Sequence, residues 1–239
     1  MNVDEVLTLA VDELAPLRSP IMVVALRGWF DVAEVATDAL DHLVTAGLGA
    51  GRAAPVIGTI DPDPFYDFTQ ERPEVWLGDD DERHIRWPTN DVRVVRSDGP
   101  HDLVVLAGVE PHLRYATFAD SIIEVAVRLR CDVVVTVGAA AEAVPHTRIP
   151  PVVGSSTNDG LVRALGLTRP QYQGITGLVG VLQERLERRG IPGLRGDLRI
   201  LLAALHAGGL RRPRRAGQYT RPPVWRAKHP VWRRRRMTA

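Results

Sequence analysis

One cysteine, Cys131, and one lysine, Lys228, stand in a chain of 239 residues. A lone thiol excludes an intramolecular disulfide and a zinc site built on clustered thiolates, which fits a reducing compartment and makes the cytoplasm the expected location. Long apolar runs are also missing. The uninterrupted ones, such as Ile21 to Leu26 and Val133 to Val135, have strand length and fall far short of the roughly 20 residues that cross a bilayer. The chain opens Met1-Asn2-Val3-Asp4-Glu5, acidic where a secretory leader is basic, so neither export nor a membrane partner is expected. There is no phosphate loop of the Gly-x-x-x-x-Gly-Lys type, no Gly-x-Ser-x-Gly elbow, no His-Glu-x-x-His pair and no dinucleotide fingerprint after the first strand. These absences count against an ordinary hydrolase, kinase or dehydrogenase, and no cofactor is expected.

What is present is enough apolar material, 45% of residues, to bury a substantial core, and one large α/β domain is expected. Charge is divided unevenly. Residues 195 to 239 hold 13 of the 30 Lys and Arg but only Asp197 of the 29 Asp and Glu, a net of +12, whereas residues 1 to 194 net −11. An acidic body and a strongly basic, Pro-rich tail require separate explanations.

Ile21 to Leu26 reads as a strand buried on both faces, ending at Gly28. Val32, Val35, Ala36, Ala39, Leu40, Leu43 and Val44 recur at helical spacing, with Asp31 placed to cap the start and Gly47 the end. Val56 to Ile60 is a second strand, giving a βαβ unit. Glu74 to Trp76, Arg83 to Trp87 and Asp91 to Ser97 are expected as antiparallel or edge strands. The first pattern then returns: a strand over Leu103 to Ala107, a helix with Phe118, Ile122, Val125, Ala126 and Leu129 on one side, and a strand over Val133 to Val137. Helices near Asp159 to Leu165 and Leu178 to Arg189 follow, each ending before a glycine. Alternation of this kind predicts a three-layer α/β/α sandwich around a largely parallel mixed sheet.

In such a sheet, ligands bind outside the carboxyl ends of the strands, where loops diverge. Three glycines close apolar runs there: Gly28 before Trp29-Phe30-Asp31, Gly108 before Glu110-Pro111, and Gly138 ahead of Glu142 and Pro145-His146-Thr147-Arg148. If these loops converge, Asp31, Glu110, His146 and Arg148 bring acid, base and cation into one cleft. The blander reading is that the glycines permit turns, Asp31 caps a helix and Glu110-Pro111 starts one. Asp61-Pro62-Asp63-Pro64-Phe65-Tyr66-Asp67 adds Asp61 and Asp63 as candidate ligand-binding residues, and Asp79-Asp80-Asp81-Glu82 is a second acidic run. Neither has the glycine-centred pattern of a calcium loop, so no metal is expected. Ser155-Ser156-Thr157 offers hydroxyls, but nothing in the sequence marks a base for them.

Taken in order, several of these segments resemble the PAC2 family, named for proteasome assembly chaperone 2. They are Leu26-Arg27-Gly28-Trp29-Phe30-Asp31, Asp61 to Phe68 with Arg72-Pro73, Trp87-Pro88, Leu106-Ala107-Gly108-Val109-Glu110-Pro111 and Pro145-His146-Thr147-Arg148. Tyr172-Gln173-Gly174-Ile175-Thr176-Gly177-Leu178 and Gly190-Ile191-Pro192 continue the series. The resemblance covers residues 20 to 193, and the arginine-rich composition suits a GC-rich actinobacterial source. It implies an α/β/α sandwich similar to nucleoside-phosphorylase-like folds and a homo-oligomer, with trimers expected. It also implies a noncatalytic assembly or interaction protein related to proteasome maturation, with proteasome subunits as partners. In eukaryotic and archaeal members a C-terminal hydrophobic-tyrosine-any-residue motif docks into the proteasome ring; this chain ends Met237-Thr238-Ala239.

The family pattern stops near residue 193. Residues 1–193 are therefore expected to form the PAC2-like domain, and residues 194–239 a poorly ordered basic tail. One account of the tail is a changed reading frame, because shifted frames of GC-rich genes yield excess Arg, Pro, Gly and Ala. The other is a real basic arm in which Arg233 to Arg236, with Trp225 and Trp232, contacts nucleic-acid phosphates and stacks on bases. A small-molecule enzyme or sensor using the cleft is the remaining alternative, since fold alone does not set function.

Overall fold

The computed structural model describes residues 1–12, 14–46, 54–78, 81–140 and 153–196. Its centre is strand β2 (Ile21–Arg27), which follows the short strand β1 (Leu7–Leu9). β2 is buried from Ile21 to Leu26, as expected for a run apolar on both faces. A 3-10 turn (Val32–Glu34) leads into α1 (Val35–Ala46), and β3 (Val56–Ile60) follows. The hairpin β4 (Glu74–Leu77) and β5 (Arg83–Arg86) precedes β6 (Asn90–Val95) and β7 (Leu103–Val109). Then come α2 (Tyr115–Arg128), β8 (Val133–Val137), the two-residue β9 (Gly154–Ser155), α3 (Asp159–Leu165), α4 (Leu178–Arg188) and β10 (Gly193–Gly196).

Eight strands form one mixed sheet in the order β1-β3-β6-β7-β2-β8-β10-β9. The neighbours β7, β2, β8 and β10 are mutually parallel, and the remaining pairings are antiparallel. Ile21 lies in register with Leu103 on one side and Val133 on the other, so the three apolar runs form the middle of one layer. Alternation along β2 then divides the core. Met22, Val24 and Leu26 face Phe118 and Ile122 of α2 and Leu178, Leu182 and Leu186 of α4, whereas Ile21, Val23 and Ala25 face Ala36, Leu40 and Val44 of α1. Leu161 and Leu165 of α3 pack on that second side. The i, i+4, i+8 spacing in α1 and α4 puts one stripe of each helix on the sheet. Gly166 and Gly190 close α3 and α4 with φ of 66° and 68°, the left-handed turn that glycine adopts without a Cβ penalty. Among the described residues, no helix is long and apolar enough to cross a membrane.

Three expectations change in detail. β2-α1-β3 is a crossover between strands of the same direction, but β7 and β6 lie between them, so the βαβ unit is not one of adjacent strands. The expected antiparallel or edge strands are all antiparallel, but β6 sits inside the sheet, and β4 and β5 form a separate two-stranded sheet. β10 carries regular structure through Gly196, past the expected boundary at 193, because its backbone pairs with β8 from Gly193 to Gly196. The end of α1 at Gly47 lies outside the described residues.

At the opposite end of the sheet, Asp102 is fully buried and tied to four groups. It accepts from the Arg18 and Ser97 amides at 2.9 and 3.1 Å, and from the Arg96 and Arg18 guanidinium groups at 2.9 and 3.3 Å. Burial pushes its carboxyl up, but the two amides and then Arg96 outweigh that and hold it below the usual carboxylate range. A depressed folded pKa means that the stabilisation is complete above the unfolded value, about 3.9, and is lost as pH falls through the folded one. Asp102→Asn is therefore expected to cost roughly 1.5–3 kcal/mol at pH 7. Urea titrations should show the gap to wild type shrinking as pH is lowered towards about 3; a gap independent of pH would refute the assignment.

Candidate rim site at the carboxyl ends of the parallel strands

Strands β2, β7, β8 and β10 end on one rim, β3 ends there as well, and β6 starts there. The loops carrying Gly28, Asp31, Asp61, Asp63, Glu110 and Gly138 all leave from it. Gly108 lies inside β7 rather than after it, because the strand continues through Val109.

Glu110 is the hub. Its amide donates to Arg27 O at 2.8 Å, and its carboxylate accepts from Trp29 N at 3.0 Å and Leu178 N at 2.8 Å. One carboxylate thus joins the loop after β2 to the first residue of α4, where it satisfies an otherwise unpaired helix amide and the helix dipole favours a negative charge. Two glycines make room for it. A Cβ on Gly28 would fall 2.6 Å from Glu110 Oε2, and one on Gly177 would fall 2.5 Å from Oε1. These glycines are set by the close approach of a side chain distant in sequence, which local turn rules do not reveal.

Asp31 is buried and committed to the start of α1. It accepts from Ala36 N at 2.7 Å, Thr37 N at 3.1 Å and Thr37 Oγ1 at 2.6 Å, so both its oxygens are engaged. The cap expected from the sequence is real but acts one turn later, because the 3-10 turn with Ala33 in the left-handed region (φ 58°) intervenes. Val32 N donates to Ala139 O at 3.0 Å and Ala139 N to Phe30 O at 2.8 Å, which lays the loop after β2 against the loop after β8. Gly138 is needed there, since a Cβ would overlap the Phe30 ring.

Asp61 and Asp63 are exposed, and Asp61 Oδ1 accepts from Asp63 N at 3.0 Å in an Asx turn. Asp67 is occupied by Thr69 and Gln70. The Thr69 hydroxyl, then the Gln70 amide, hold its carboxyl down to about 2. The acidic segment uses its carboxylates to shape its own turns, and among the described residues no group of three or more His, Cys, Asp or Glu could hold a metal ion. Below it, Tyr66 donates to Val109 O at 2.6 Å, and Asn90 Oδ1 accepts from Val109 N at 2.9 Å. Burial pushes the Tyr66 phenol above its usual range, so it stays a neutral donor.

His146 and Arg148, with Glu142, lie outside the described residues, so the cleft of four joins only Asp31 and Glu110 on the same rim. Ser156 is buried, with its hydroxyl donating to Gly193 O at 2.5 Å and accepting from Asn158 N at 3.0 Å. Burial pushes the Cys131 thiol up to about 12, followed in effect by Asp132, which leaves a poor nucleophile. The roles of Asn90 and Tyr66, and the pairing of the Leu178 amide with Glu110, escaped the sequence reading, although the helix itself was expected from Leu178. Asn90 is one polar residue at a strand start, and only its neighbours distinguish it from a turn residue.

A PAC2 family model matches residues 25–195. The chain is similar to a PAC2 family protein from Streptomyces avermitilis, with 35% identity and a TM-score of 0.69 over 79% of this chain and 83% of that one. It is also similar to a proteasome-assembly chaperone homologue of Mycobacterium tuberculosis, with 35% identity and a TM-score of 0.64 over 74% and 73% of the two chains. An archaeal proteasome activator from Pyrococcus furiosus shares 16% identity at a TM-score of 0.57 over 80% and 79%, a likeness of fold alone. No curated protein matches. With the model spanning β2 to β10 and a third of positions identical in the two actinobacterial structures, this chain belongs to the PAC2 family.

Proposed function

We propose that this chain is a noncatalytic assembly or interaction protein acting in proteasome maturation in the cytoplasm, and that it works as a homo-oligomer, with a trimer the expected state. The observation that carries the noncatalytic part is the use of the rim's polar groups. Asp31, Asn90 and Glu110 each hold backbone amides, so the described rim presents no paired nucleophile and base. The proteasome part is supported by the resemblance to the Mycobacterium tuberculosis homologue.

The β4–β5 hairpin supports an interaction role. Val75 pairs with Ile85 and Leu77 with Arg83, which places Val75, Leu77 and Ile85 on one face, each more than half exposed. Trp87, at 5.1 Å from Phe68 in an edge-on contact, ties the hairpin to the body. A two-stranded sheet is marginal by itself in water, and contiguous exposed apolar side chains mark association surfaces.

The full-length chain, tagged and expressed in its own organism, is expected to retain proteasome α and β subunits on pull-down and to run as an oligomer by light scattering. Loss of both subunits, with ring assembly unchanged in a strain lacking the chain, overturns the proteasome reading. A monomeric mass overturns self-association.

The basic segment has a separate proposed origin, a change of reading frame. The family match to residue 195 and β10 to Gly196 support putting the proposed change after Gly196. An intact frame beyond codon 196 shared by independent isolates would refute it and return the segment to the basic-arm reading.

A further inference from the structure

Arg195 projects from β10 next to Thr136 of β8 and Ser155 of β9, one residue before the strand ends on the rim. Its guanidinium lies over the Phe30 ring, 4.1 Å from the centroid. No carboxylate among the described residues reaches it within ion-pair distance, whereas Arg27, at the end of β2, is bridged to Glu71 and approached by Glu34 at 3.9 Å. Burial pushes the Arg195 guanidinium below its usual range, and Tyr172, close enough to act electrostatically, works the other way. A half-buried cation with a ring beneath it and its N–H groups uncommitted to any described residue is held ready for an anion.

The neighbouring loops carry exposed apolar side chains. Trp29, next to Phe30, is 70% exposed, Ile175 77% and Tyr172 71%. The loops carrying Trp29 and Ile175 are held together, because Trp29 N and Leu178 N donate to the same Glu110 carboxylate. Tyr172 is fixed to Ile175 by its hydroxyl, which donates to Ile175 O at 2.9 Å. The side chains therefore stand on braced backbone.

We infer that Arg195, stacked on Phe30 next in the chain to the exposed Trp29 and within electrostatic reach of Tyr172, binds a carboxylate carried on an apolar or aromatic group. The planar fork of the guanidinium matches a carboxylate in two parallel hydrogen bonds. A monoanion matches the single positive charge of one guanidinium. The inference is independent of the proteasome reading, since it concerns a group that the proposed assembly role does not use.

Isothermal titration of the full chain with N-acetyl-phenylalanine, with its amide, and with hexapeptides ending in a free or an amidated phenylalanine tests it. The free acids are expected to bind at least about tenfold more tightly than their amides, as one charge-assisted bidentate pair allows. Arg195→Gln should abolish that preference, and Arg195→Lys should keep part of it. Tighter binding of the free-acid peptide identifies a peptide carboxyl terminus as the source; equal or better binding of the small acid identifies a free carboxylic acid. Acid and amide binding equally, or neither binding at millimolar concentration, overturns the inference on the wild-type chain, whatever the variants do. Retention of the acid preference in folded Arg195→Gln overturns it too.

Discussion

Phe118→Ala is expected to lower the unfolding free energy by roughly 3–5 kcal/mol, a large part of the about 5–15 kcal/mol that holds a typical domain together. Phe118 has no exposed surface and stands edge-on to Phe65, with centroids 5.0 Å apart and planes at 83°. It belongs to the cluster that joins α2, α4 and the face of β2 formed by Met22, Val24 and Leu26, so truncation loses both transfer energy and contacts that the rigid sheet cannot restore by collapse. Phe65 anchors the Asp61 to Phe68 segment from below, and its carbonyl accepts from the amides of His112 and Leu113. Loosening Phe65 should therefore spread to the rim. Urea unfolding of the full chain measures the loss as a lower midpoint with an unchanged slope. A loss under about 1 kcal/mol would mean that Phe118 is not central to the packing.

Gly108→Ala is expected to cost roughly 3 kcal/mol or more through overpacking together with stranded polar groups. A Cβ at Gly108 would overlap Asn90 Oδ1 and come within 3.1 Å of Asn90 Cα, which cannot withdraw because β6 is paired on both sides. If the Asn90 side chain turns away instead, Val109 N loses its acceptor and the Tyr66 hydroxyl loses the Asn90 amide that donates to it, both in buried surroundings. The expected readout is a lower urea midpoint together with faster amide exchange at Val109 and Glu110, next to the strand end. Wild-type stability with unchanged exchange would show that Asn90 does not occupy that space.

Much of this fold can be read from the chain because its signals are local. Ile21 to Leu26 is apolar without a break, which only a strand covered on both faces accommodates, and the structure buries every residue of it. Phe118, Ile122 and Val125 repeat at helical spacing and form the inner face of α2. Gly166 and Gly190 end helices where their sequence positions said they would. The candidate site was legible only as a location. That Glu110 and Asp31 share a rim follows from strand ends, but their duties do not: Glu110 holds a helix start whose first residue is 68 positions away. Arg195 carried no signal of its own, being one arginine ahead of a segment full of them, and it gains meaning only when β10 sets it beside Phe30.

By itself, then, the sequence determined the elements apart from β1, β9 and β10, the two-faced burial of the central strands and the layered α/β/α class, because period, caps and breakers act over a few residues of backbone. The order of the strands, the lifting of β4 and β5 out of the sheet, the internal position of β6 and the convergence on Glu110 were decided by tertiary structure alone. The reason is physical: many strand orders satisfy the same alternation of buried and exposed residues, and the choice among them lies in side-chain fit between segments far apart along the chain.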